Sequence, residues 1–449
     1  MTRDAERLVV VGNGMAGMRT VEALVKRAPG RYRIAVFGAE PRPNYSRILL
    51  SALLAGECQW DEIVINPYSW YADRGIELHA GDAIASIDPV ARKAVSAAGV
   101  AVSYDKLLLA TGSRPLAPPI PGLELPGVSA FREAKDVDAM IAAARPGGRA
   151  VVIGGGLLGL EAAWGLARRG MAVTVLHLMP TLMERQLDAT AGQLLERDLE
   201  RRGIAFATEA VAEEIFGDGR GDGARVGGVR LADGRLFDAE LVVVAIGIRP
   251  ETALARAAGL EVNRGIVVGD DLRTSDPDIY AVGECAEHRG RCFGLVAPLW
   301  DMAEVCAARL AGERDAVFAT PVLSTRLKIT GVDLFSAGAL MAEAESDDEV
   351  TYLDLGRLTY KKLVLREGRI VGAVLYGDVA DAAWYLRLIE ERAEISALRP
   401  FLIFGEAHAA AAGGAPGAEP HLAPSAPVVE LPLPSRADFE HAVARVAHG

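Results

Sequence analysis

Six glycines set in two matching frames are the residues of this chain whose spacing points most directly to chemistry. Gly12, Gly14 and Gly17 lie in "LVVVGNGMAGMRTVEAL" (8–24), and Gly154, Gly156 and Gly159 in "AVVIGGGLLGLEAAWGL" (150–166). A G-x-G-x-x-G that follows a β-branched apolar run and opens an apolar-periodic helix is the frame that holds a dinucleotide's pyrophosphate. The first glycine permits the tight turn, the second lets the pyrophosphate approach the backbone, and the third lets helix and strand pack closely. The helix start then offers free N–H groups and a positive dipole end to the phosphates. One such frame is a weak signal, but here each is followed by a second matching strand, "LLLATGSRP" (107–115) and "VVVAIGIRP" (242–250). Each copy is expected to bind one dinucleotide.

The elements that must position these loops are two strand–loop–helix units, one repeated after the other. They are not equivalent, because "TSDPDIYAVGECAEHRG" (274–290) has no counterpart after the first copy. There a strand ends in Gly283-Glu284 and leads to a helix expected to begin near Pro298. An acid at that strand end suits a hydrogen bond to a polyol such as the ribityl chain of a flavin, and the helix start behind it suits negative charge on a reduced isoalloxazine. The end of the second strand of each unit ordinarily bears the acid that holds a ribose. "IAVFGAE" offers Glu40 two positions beyond Gly38, a candidate for the ribose of the first dinucleotide or a solvated loop acid. "VTVLHLMP" offers His177 instead, which removes the carboxylate that would repel a 2′-phosphate.

Composition narrows the function further. The chain has 449 residues, enough for two or three domains, and a formal net charge of −12. That charge argues against nucleic acid or an anionic membrane as the main partner, since both select a basic footprint. No apolar stretch reaches spanning length, and "MTRDAERLVVVG" runs into a buried-type strand at once, so the expected compartment is the cytoplasm. The cysteines are Cys58, Cys285, Cys292 and Cys306, with no C-x-x-C. Neither a disulfide framework, an iron–sulfur cluster nor a zinc site is expected from them.

With the two glycine frames and "DIYAVGE" together, residues 7–340 resemble the pyridine-nucleotide-dependent flavoprotein reductases with two dinucleotide-binding domains. The resemblance implies that the first copy takes FAD and the second NAD(P)H. It places Thr111 and Gly112 along the FAD, Glu284 on its ribityl chain, Arg47 at its phosphate or flavin, and Gly247 beside the nicotinamide dinucleotide. Disulfide reductases of this superfamily carry a C-x₄-C pair on the helix that here reads "YSRILLSALLAGE" (45–57), so electrons are not expected to leave through a protein disulfide. Reductases serving rubredoxin and Rieske-type ferredoxins carry a lysine there, paired with the glutamate matching Glu161; this chain has Ala52. Glu161 is expected to position nicotinamide, to tune the flavin edge, or merely to cap its helix. "GGGLLGLEAAWGLARRGMAVTVLHLMPTLMERQLD", "GECAEHRGRCFGLVAPLWDMA" and "STRLKITGVDLFSAG" look most like the flavoprotein portion of the large subunit of NAD(P)H-dependent assimilatory nitrite reductases. Those subunits continue into cysteine-rich modules, whereas no cysteine follows Cys306; the expectation is a flavoprotein subunit with a separate metal-containing partner.

The expected architecture is α/β: an FAD-binding domain (1–118 and 251–318), an NAD(P)H-binding domain inserted in it (119–250), and a C-terminal α+β interface domain (319–408). A flexible linker and a short terminal helix are expected over 409–449. The expected function is NAD(P)H oxidation through FAD, favouring NADH with NADPH left open. The expected acceptor is a nitrite or nitrate reductase subunit, with rubredoxin or ferredoxin as the alternative, and a homodimer is the assembly considered. A second alternative is a non-turnover NADH sensor like apoptosis-inducing factor.

Overall fold

The computed structural model describes residues 5–219, 221 and 224–413. Two five-stranded parallel sheets organise the first compact unit, which runs to Gly331. The first sheet is ordered Ile279–Ala281, Lys106–Leu109, Glu6–Val11, Tyr32–Gly38, Glu77–Ala80. Its strands are near-continuous apolar runs because both faces are covered. Leu8, Val9, Val10, Leu107, Leu108 and Leu109 are fully buried. The second sheet is ordered Val128–Ala130, Leu241–Val244, Arg149–Ile153, Ala172–Leu176, Ile204–Ala207. The first sheet takes its last strand from 279–281, after the second sheet is complete, so the second Rossmann-like domain is inserted in the first.

The two crossings between these domains pair with each other. Ser113–Pro115 runs antiparallel to Ile248–Pro250, with Arg114 opposite Arg249. These are the R-P exits of the two repeated strands. A backbone bond from Glu251 N–H to Gly112 O at 2.9 Å and a bond from the Thr111 side-chain hydroxyl to Glu251 O at 2.7 Å tie the crossings together.

The C-terminal unit begins at Val332. The strand Ser324–Thr325 falls between the expected boundary at 319 and this one. The unit's strands Leu334–Gly338, Arg369–Tyr376, Thr359–Arg366 and Asp348–Asp354 pair antiparallel in that order. The hairpin turn falls at Glu367 and Gly368, both with positive φ (50° and 69°), which matches the right-handed twist of the flanking strands. The amphipathic segment "AAWYLRLIE" forms the helix Ala382–Glu390. Residues 409–413, expected to open the linker, complete the helix Glu406–Gly413, because an alanine run costs almost nothing to hold helical. The remaining linker and terminal helix, 414–449, lie outside the described residues.

Candidate functional site

Each glycine frame folds into the same geometry. Gly12 and Gly154 adopt φ of +114° and +122°, where a Cβ would come within 2.2 Å of Ala110 O and 2.4 Å of Ala245 O respectively. Only glycine fits there. Gly17 and Gly159 seat each helix on its strand: a Cβ would approach Gly12 O at 2.9 Å and Gly154 O at 1.9 Å. Gly14 and Gly156 differ from all four. They are the N-cap residues of the helices Met15–Arg27 and Leu157–Arg168, with ordinary φ of −86° in each, and no side chain caps either helix. A Cβ at either would meet nothing within 4 Å. Neither backbone strain nor packing calls for glycine at these two positions; both stand in open space facing uncapped helix N–H groups. That is the form of an anion cradle.

Both cradles open on one cavity of about 2160 Å³. A single drug-sized ligand fills roughly 300–1,000 Å³, so this cavity has room for two dinucleotides. Gly12, Gly14, Glu40, Arg47, Thr111, Gly112, Gly154, Gly156, Glu161, His177, Gly247, Gly283 and Glu284 all line it. Gly17 and Gly159 do not, and act through packing. Pro298 does not line it either: the helix starts at Val296, two residues earlier than expected, and Pro298 is buried in its first turn. Proline is tolerated throughout a helix's first turn, so it did not mark the first residue. Leu295, Val296, Ala297 and Trp300 line the cavity at that helix start instead.

The polar groups are held in pairs. Glu284 is bound by Arg132 and accepts the Ser113 hydroxyl at 2.9 Å. Both partners are nearly buried, with side-chain exposures of 12% for Arg132 and 14% for Glu284, and Arg132 Nε has no partner among the described protein atoms. Glu40 accepts the Tyr45 hydroxyl at 2.7 Å and pairs with Arg47 at 2.6 Å. It is an anchored carboxylate, not a solvated loop acid. Arg132 escaped the sequence reading because it comes from "AFREAKD", a segment with no spacing relation to the glycine frames.

His177 stands at the end of the second strand of the inserted domain, as expected, yet its ring is occupied. Gly155 N–H donates to Nδ1 at 3.1 Å, which places the ring proton on Nε2. Nε2 faces Thr181 O at 3.0 Å and Glu184 Oε2 at 3.2 Å. The imidazole thus fastens the second glycine loop and sets a carboxylate beside it. Glu184 also lines the cavity.

Glu161 lies in the second turn of its helix, 8% exposed. It accepts the Lys328 N–H at 3.2 Å, and the Ser51 hydroxyl lies close enough to favour its charged form. Burial pushes its carboxyl up to about 7, against the weaker opposing effects of Lys328 and Ser51. The lysine missing at Ala52 has a counterpart from elsewhere in the chain, since Lys328 and Ala52 line the same small cavity beside the helix Leu50–Ala55. Cys285 is fully buried, with its thiol pushed up by burial, and Cys292 is half-buried on the cavity wall. Among the described residues no cluster of His, Cys, Asp and Glu is arranged to hold a metal.

Comparison with known proteins agrees with this geometry. Residues 324–393 match the family described as the rubredoxin NAD+ reductase C-terminal domain. A nitrite reductase (NAD(P)H) of Bacillus subtilis strain 168 is 48% identical over 391 residues, covering 87% of this chain and 48% of that protein. An assimilatory nitrate reductase electron transfer subunit of the same strain is 40% identical over 398 residues, covering 89% of this chain and 51% of that protein. The chain therefore spans about half the length of the curated relatives it matches. The solved covalent putidaredoxin reductase–putidaredoxin complex superimposes with a TM-score of 0.81 at 26% identity, covering 92% of this chain and 100% of that one. Residues 6–304 match the family described as pyridine nucleotide-disulphide oxidoreductase, and the chain belongs to that family.

Proposed function

We propose that this protein is an FAD-dependent NAD(P)H oxidoreductase that delivers electrons to a separate iron–sulfur, sirohaem or molybdenum protein of nitrite or nitrate assimilation. The observation that carries the reading is the pair of open glycine cradles, Gly14 and Gly156, facing one cavity. The helix beside that cavity offers Leu50 and Ser51 where a disulfide reductase would need cysteines. The relatives named for nitrite reduction and nitrate reductase electron transfer supply the acceptor class.

When bound, FAD supplies a hydride acceptor that can also release electrons singly. The chain's own residues do the rest. Gly14 and the start of Met15–Arg27 hold the FAD pyrophosphate, Glu40 its ribose, and Glu284 its ribityl chain, with Arg132 and Ser113 fixing the carboxylate. Thr111, Gly112 and Gly283 lie along it, Arg47 faces its phosphate or flavin, and the start of Val296–Ala311 faces its ring. Gly156 and the start of Leu157–Arg168 hold the nicotinamide dinucleotide, with Gly247 beside it. NADH is the donor proposed. Glu184, held next to His177, is placed to accept a ribose hydroxyl and to repel a 2′-phosphate. Positioning the two cofactors in line is the main catalytic task, since hydride transfer depends on alignment.

The proposed compartment is the cytoplasm; no helix among the described residues is long and apolar enough to cross a membrane. A homodimer is the proposed assembly. A second reading, a rubredoxin or ferredoxin reductase, draws on the match of residues 324–393 and on the putidaredoxin reductase likeness.

The test is anaerobic stopped flow. Rapid bleaching of the flavin by NADH, slower by NADPH, followed by reoxidation with a nitrite or nitrate reductase metalloprotein, is the expected result. Rubredoxin or ferredoxin as the only competent acceptor would move the assignment to the second reading. Bleaching over minutes with a persistent long-wavelength band would overturn both in favour of a sensor.

A further inference from the structure

Resting on that function, the balance of the reaction leaves a proton to account for. NAD(P)H gives up a hydride, which is one proton and two electrons, while a metal centre takes electrons alone. The sum is NAD(P)H → NAD(P)+ + H+ + 2e−, so each turnover must move one proton out of a cavity walled by protein.

The carboxylates lining that cavity differ in their engagement. Glu40 is paired with Arg47, Glu284 with Arg132, and Glu184 with His177. Glu161 instead accepts a main-chain N–H of Lys328, with the Ser51 hydroxyl close by. Ser51, itself only 6% exposed, does not line that cavity. It lines a second cavity of about 220 Å³ together with Ala52, Glu57, Lys328 and Thr330. That cavity reaches the surface, where Glu57 and Thr330 are exposed and the Thr330 hydroxyl donates to Glu57 at 2.8 Å. Glu161 faces the cofactor cavity, and its Ser51 partner faces the outlet.

We propose that Glu161 and Ser51 form the proton exit: the Glu161 carboxyl takes the proton left in the cofactor cavity and hands it through the Ser51 hydroxyl to the small outer cavity and its Glu57 rim. A carboxyl held neutral until near neutral pH is suited to accept and release a proton in turn. The groups acting on it are the Lys328 N–H and ammonium from the segment leading to Gly331, and the Ser51 hydroxyl from Leu50–Ala55.

The experiment uses the full FAD-loaded chain under anaerobic conditions in weak buffer containing a pH-indicating dye. NADH is added, then ferricyanide, which accepts single electrons and no proton. The expected result is that Glu161→Gln slows proton appearance and the coupled reoxidation by about 100-fold more than it slows bleaching by NADH, in the range general acid–base groups supply. Ser51→Ala should slow the same phase, and Glu161→Asp should restore part of it. An independent reading needs no donor. Infrared titration of the oxidised protein should show a protonated-carboxyl band lost near pH 7 and missing in Glu161→Gln. Unchanged proton release in both Glu161→Gln and Ser51→Ala, or no such band, would overturn the proposal. Failure of either nucleotide to bleach the flavin would instead sink the underlying function, leaving the infrared band to report on Glu161.

Discussion

Valine at Gly14 or Gly156 should leave the fold nearly intact and remove one cofactor each. Both positions have φ of −86° and extended ψ, a conformation valine adopts freely, and both face open space. The structural cost is a weaker N-cap, about 1 kcal/mol, or a few degrees in Tm at most. The functional cost is larger, because the new side chain fills the place where a pyrophosphate meets the helix N–H groups. Losing one charge-assisted bond of about 1.5–3 kcal/mol weakens binding by roughly 10- to 150-fold. Gly12→Ala is the contrasting variant: at φ +114°, with a backbone oxygen 2.2 Å from its Cβ, it should lose stability before any ligand is added. The assay pairs thermal unfolding of the cofactor-free protein with FAD titration and, on FAD-loaded protein, NADH titration. Gly14→Val should lose FAD, and Gly156→Val should keep FAD and lose NADH. Native affinity for both cofactors in either valine variant would refute the two-cradle reasoning.

Removing Arg132 should be costly away from any catalytic step: Arg132→Ala leaves Glu284 nearly buried without its cation, a loss of about 3 kcal/mol, read as a lower urea midpoint and weaker FAD retention. Glu161 should make stability fall with rising pH. Its carboxyl is raised from 4.5 to about 7 by burial, so between those values the folded protein holds a proton the unfolded chain has released. The stabilisation is complete below about pH 4.5 and lost as pH rises through 7, roughly 3 kcal/mol in all. Urea midpoints between pH 5 and 8 should therefore fall more steeply in the native protein than in Glu161→Gln, and equal slopes would refute the assignment.

What was legible in the sequence was whatever is written locally. A glycine frame, the strand before it and the helix after it lie within some 17 consecutive residues (8–24), and the turn, approach and packing roles of each glycine follow from backbone geometry alone. The repetition of strand and exit in "SRP" and "IRP" was visible too, although not that the two exits pair with each other. The misses share a cause. Arg132 reaches Glu284 from 152 positions away, and the Lys328 main-chain N–H reaches Glu161 from 167, bringing its ammonium near the carboxyl; no periodicity connects such residues. The same distance explains Ala52. A sequence can show that an expected cation is missing from a helix, but only the fold can supply one from another segment.

His177 carries this argument furthest. In sequence it reads as the loss of an acid, which leaves NADPH open beside the favoured NADH. In the structure the ring accepts from Gly155 N–H and sets Glu184 beside the same strand end. The carboxylate has been moved outward by one imidazole, so the substitution that left NADPH open does not leave this strand end without an acid. A residue type at a motif position therefore states which group is absent, while its hydrogen bonds decide what has taken that group's place.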